Sequence, residues 1–206
     1  MAEEGTLHFL VHPGFGLAAA DTPAYKRMYE RQGIEEKADQ RAYVEEEKAL
    51  LAVYRRKIDN MGEGDHLVIF SPSEGSEYSE AVRKDSEWTR IGTYAKEKLG
   101  RRCVVLSNPD YLSGEPGKDS LETAGKILKQ RGFEITPKTR CEVWGQTANV
   151  CVKKTADQAY LRYGLEEYPR LDLKATEKRT LRQQEIEILE QALRAQIPQR
   201  PGLIKQ

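Results

Sequence analysis

Apolar residues along this chain follow two rhythms. Short continuous runs bounded by turn residues alternate with longer stretches in which apolar positions recur every three to four residues. The first pattern predicts strands covered on both faces, and the second predicts amphipathic helices. Residues 6–11 form the first run, ended by His12-Pro13-Gly14-Phe15-Gly16, a turn by its proline and glycine content. Asp21-Thr22-Pro23 offers a cap with proline in the first turn and opens a long charged helical segment at about 22–61, interrupted at Gly33. Its later part carries Tyr43, Leu50, Leu51, Tyr54, Ile58 and Met61 on one stripe, and Gly62-Glu63-Gly64 stops it.

The same alternation continues. Residues 67–70 read as a covered strand, and Tyr78, Ala81, Val82, Trp88, Ile91, Ala95 and Leu99 mark a helix closed by Gly100. Residues 103–106 form a second such strand, followed by a polar loop at 107–118 and a shorter helix through Leu121, Ala124, Ile127 and Leu128. A third central strand at 141–144 runs into Gly145. The next helix places Ala148, Cys151, Val152, Thr155, Ala156, Ala159, Tyr160 and Tyr163 on one side, with Lys153, Lys154, Asp157, Gln158 and Arg162 on the other. A last strand is expected within 165–173 and a last helix at 176–196. Strand–helix alternation with covered strands predicts an α/β fold: a three-layer, Rossmann-like, mostly parallel sheet flanked by helices, with right-handed crossovers. The length of 206 residues suits one domain, at 1–197, with a C-terminal tail at 198–206.

Composition narrows the function classes. Lys plus Arg and Asp plus Glu each number 33, so the formal net charge is zero and the cationic surplus that binds nucleic acid is missing. Mean hydropathy is −0.71, and no apolar run approaches the roughly 18 residues that a bilayer span needs. The acidic start Met1-Ala2-Glu3-Glu4 does not resemble a secretory signal, and Cys103, Cys141 and Cys151 show neither CxxC spacing nor an even count. A cytoplasmic location is the expectation.

In open parallel sheets, ligands bind outside the carboxyl ends of the strands. Of the residues just after the strands, Cys151 has the sharpest chemistry. Near a helix start, unpaired backbone N–H groups and the helix dipole favour thiolate over thiol and can stabilise an oxyanion. The alternative for Cys151 is a small packed hydrophobe, since it belongs to the apolar stripe. The segment Val143-Trp144-Gly145-Gln146-Thr147-Ala148-Asn149-Val150-Cys151-Val152-Lys153-Lys154-Thr155-Ala156-Asp157-Gln158-Ala159 resembles the nucleophile motif of isochorismatase-like cysteine hydrolases. There a glycine ends a strand, the cysteine follows six residues later, and Cys-Val-x-x-Thr-Ala-x-x-Ala continues the helix. Gly145, Cys151, Val152, Thr155, Ala156 and Ala159 fit, while Gly164 comes one residue later than usual.

The resemblance implies a three-layer α/β fold and, in active members, an Asp–Lys–Cys triad that hydrolyses C–N bonds of small amides. Isochorismatases themselves cleave a vinyl ether, and some related domains are inactive. Where the aspartate would stand the chain reads Val11-His12-Pro13, and where the lysine would stand it reads Leu106-Ser107-Asn108. The Asp and His metal ligands of nicotinamidases are absent from Ser71-Pro72-Ser73-Glu74, so no metal is expected, and no other cofactor. The site expected is therefore Cys151 as nucleophile, His12 as base and Asn108 orienting substrate or donating to the oxyanion, with Gly145, Gln146, Thr147 and Phe15 contacting a small-molecule substrate. For His12 the alternative is a residue that merely ends a strand before Pro13. For the whole protein it is an inactive relative serving as a binding or oligomeric module, with the long first helix as the surface for self-association.

Gly14-Phe15-Gly16 lacks the third glycine of a phosphate loop and a helix directly after it. Glu74 and Glu77, near a helix start, read as complements to its dipole.

Overall fold

A computed structural model describes residues 5–13, 37–72, 86–108, 118–145 and 151–176. Within them lie β1 (Leu7–Val11), α1 (Lys37–Asp59), β2 (His66–Pro72), α2 (Ser86–Leu99), β3 (Cys103–Asn108), α3 (Lys118–Gln130), β4 (Cys141–Gly145), α4 (Lys153–Arg162) and β5 (Arg170–Thr176). The five strands form one sheet in the order β3-β2-β1-β4-β5, and every neighbouring pair is parallel. The layout is Rossmann-like.

Continuous apolar strands arise here because both faces of the sheet are covered. Leu7, Phe9 and Val11 of β1 pack into one apolar cluster with Val68, Phe70, Val104 and Val143, roofed by Leu121, Ala124 and Leu128 of α3 and Ala156 and Ala159 of α4. Leu10 faces the opposite way, with Leu67, Ile69 and Trp144, under Leu50, Leu51, Tyr54 and Ile58 of α1 and Ile91 and Ala95 of α2. Phe9 stacks on Phe70 with ring centroids 5.9 Å apart, and Tyr54 leans on Trp144 at 5.4 Å. The chain steps outward through β1, β2 and β3, then returns past β1 to lay down β4 and β5. Keeping one crossover hand while the direction reverses forces the helices to change face. Accordingly α1 and α2 lie on one face, α3 and α4 on the other.

One expected element lies elsewhere. Leu165 does not begin a strand. Gly164 has φ +63°, and the Leu165 N–H donates to the Tyr160 carbonyl, so α4 closes in a glycine-dependent cap whose following apolar residue is buried. The last strand starts only at Arg170 and takes in Thr176. The sequence-expected helix beyond it lies outside the described residues, as do 22–36 of the first helical segment.

A charged network ties helix to sheet at the amino ends of the strands. Lys57 Nζ, near the end of α1, donates to Glu142 of β4 at 2.9 Å and to Asp172 of β5, and lies 5.2 Å from the Trp144 ring centroid. Burial alone would raise the Glu142 carboxyl, but His8 and Lys57 outweigh it and lower the group from its ordinary 4.5 to about 2. A folded value below the ordinary one means stability that is present above pH 4.5 and is lost as pH falls toward 2. Lys57→Met removes the ammonium that Glu142 and Asp172 share, leaving Glu142 only His8 and Arg170, and should cost roughly 2–4 kcal/mol at neutral pH. Urea unfolding at pH 7 and pH 3 measures this. The variant should lose much less on acidification than the parent, and an equal loss would assign the acid sensitivity to other carboxylates.

Candidate active site

The order of strands reverses between β1 and β4, which pair directly. A crevice outside the carboxyl ends at such a reversal is where an open α/β sheet binds its ligand. The residues there are Val11 and His12 from β1, and Gly145 from β4, with Val11 and Gly145 in register. Gly145 has φ +128°, and a Cβ placed on it would lie 2.2 Å from the Val11 carbonyl oxygen and 2.7 Å from its nitrogen. No side chain fits there. The glycine of the candidate motif is thus a demand of backbone approach.

His12 follows β1 directly in a left-handed conformation, φ 45°, which histidine tolerates better than most residues. Its N–H donates to the Phe70 carbonyl at 2.9 Å, so the turn out of β1 is fastened to β2. The residue is 1% exposed, and burial lowers its imidazole from 6.5 to about 4. At neutral pH the ring is uncharged. It can accept a proton but cannot hold a thiolate as an ion pair, the role that an imidazolium would play.

Cys151 is half-buried, against the apolar cluster on the α3–α4 face. It sits in a wide, π-type turn at 151–152 that runs into α4, and Val152 already has helical angles. The Thr155 hydroxyl, fully buried, donates to the Cys151 carbonyl at 2.7 Å and fixes that turn. Cys103 and Cys141 are buried, and burial pushes their thiols up to about 11 and about 12. Cys151 is therefore the cysteine with access to solvent.

Asn108 ends β3, in register with Pro72 of β2. Three strand spacings, about 14 Å, separate β3 from β4, so its backbone is not drawn up beside Gly145. Gln146, Thr147 and Phe15 lie outside the described residues. Among the described residues no group of His, Cys, Asp and Glu is arranged to hold a metal ion, and no helix is long and apolar enough to cross a membrane.

Periodicity missed one feature beside Cys151. Lys153 and Asp157 were expected on the solvent side of the helix, yet Lys153 is 6% exposed. Its ammonium pairs with both oxygens of Asp157, which also accepts from the Tyr168 hydroxyl at 2.7 Å. The stretch after α4 brings Tyr168 against that side. The i, i+4 spacing of a lysine and an aspartate was a signal for the pair, though not for its burial.

No family model, curated protein or solved structure matches the chain.

Two outcomes are expected. Gly145→Ala should lower unfolding free energy by about 3 kcal/mol or more in urea titrations, since strain at a left-handed position adds to the clash with Val11. Iodoacetamide on the native protein, followed by peptide mass spectrometry, should label Cys151 at least roughly tenfold faster than Cys103 or Cys141. Comparable rates at all three would remove the special status of Cys151.

Proposed function

We propose that this protein is a divergent isochorismatase-like hydrolase that uses Cys151 to cleave the C–N bond of a small amide. The observation that carries the reading is the exposure of Cys151. Of three thiols it alone is partly open to solvent, six residues beyond the glycine that ends β4 at the strand-order reversal. The resemblance of residues 143–159 to the family's nucleophile motif supports the same assignment, and the Rossmann-like sheet suits it.

In this reading the Cys151 sulfur attacks the amide carbon, and a C–S bond forms as the carbonyl π electrons move to oxygen. The thiol proton passes to the neutral His12 imidazole, then to the leaving nitrogen as the C–N bond breaks. Water, giving a proton back through the same ring, hydrolyses the thioester to a carboxylic acid and restores the thiol. An imidazole lowered to about 4 takes the proton only as the C–S bond forms, and its conjugate acid is strong enough to protonate a poor leaving group readily.

The weak basicity of His12 also favours a second reading, an inactive family relative that serves as a binding or oligomeric module. A panel of small primary amides, assayed for ammonia release across pH, separates the two. The hydrolase reading predicts turnover abolished in Cys151→Ser and an acid limb with its midpoint near 4, the value of His12, and not near 6.5. His12→Asn should lower the rate about 100-fold and remove that limb. Absence of any Cys151-dependent turnover, with Cys151→Ala otherwise unaltered, would leave the module reading standing.

A further inference from the structure

The opposite pole of the sheet holds a pocket. It has a volume of about 400 Å³ and opens at the amino ends of β1, β4 and β5, away from Cys151. Thr6, His8, Asp65 and Glu142 line it, with Arg140 and Arg170 and, from the stretch after α4, Glu167 and Tyr168. The volume lies within the range of small-molecule sites.

Its inner carboxylates are already committed. Asp65 accepts from the Thr6 and Gly62 backbone N–H groups at 2.8 and 2.7 Å. Glu142 meets Lys57 at 2.9 Å, His8 Nδ1 at 3.1 Å and Arg170 Nε at 3.5 Å. The other ring nitrogen of His8 stands 3.8 Å from Asp65. The rim is different. Arg140 and Glu167 are exposed and make no side-chain ion pair among the described residues, and Arg170 reaches Glu142 through Nε alone, so its terminal N–H groups remain available. One unspent guanidinium, one partly spent guanidinium and one unspent carboxylate therefore line the same pocket. A simple anion would leave Glu167 opposed, and a simple cation would meet both arginines. A molecule carrying both charges satisfies the rim without leaving either sign opposed.

We propose that this pocket binds a small zwitterion of the α-amino-acid class, its carboxylate on Arg140 and Arg170 and its ammonium on Glu167. The site is separate from Cys151 and does not depend on the hydrolase reading. Isothermal titration of the full chain with each common α-amino acid, with acetate and ethylammonium as single-charge probes, tests it. At least one amino acid should give a saturable heat, while acetate and ethylammonium at the same concentration give none. Arg140→Ala and Glu167→Ala should each weaken that binding about tenfold or more. Because both side chains are exposed, the unfolding midpoints of the unliganded variants should match the parent. No saturable heat from any amino acid, equal binding of acetate, or unchanged affinity in both variants would overturn the proposal.

Discussion

The close approach of β1 and β4 governs much of this molecule. Val11 and Gly145 lie side by side in the sheet, with no room for a β-carbon between them. That contact joins the two halves of the fold, because β1 belongs to the outward series and β4 begins the return. It also fixes where the two chains leave the sheet. His12 leaves β1 in a left-handed conformation, and Gly145 ends β4 with a positive φ of its own.

The two ends of the sheet carry different chemistry. At the carboxyl end the two described groups of the candidate site are shielded. His12 is sealed and uncharged at neutral pH, and Cys151 is half-covered by an apolar cluster. At the amino end the charges are dense. Lys57, Glu142, Asp172, His8 and Asp65 lie together beneath α1, held by bonds that join one helix, three strands and a turn.

Most strands were legible because a strand covered on both faces has no polar alternation, and β1, β2, β3 and β4 all read as short apolar runs. The fifth was misplaced, since Leu165 looks like the start of such a run and instead packs behind the glycine cap of α4. Lys153 was read as solvated because helical periodicity reports only where the first apolar face points. It says nothing of a later segment folding over the second face with Tyr168. Cys151 stood out by residue type and spacing, but its exposure relative to Cys103 and Cys141 depends on what covers each position. His8 and Glu142 were not singled out at all. They are 134 positions apart and become neighbours only through strand register, a relation that local pattern cannot carry.

The Lys57 clamp has an implication for descent. Positions 57, 142 and 172 share one ionic contact, and altering Lys57 alone removes the cation that both carboxylates share beneath a helix. Lineages related to this chain should therefore exchange the three together, either retaining the whole triad or trading it for neutral side chains of matching size. Such concerted replacement would mark kinship across distances at which a short cysteine motif arises by chance.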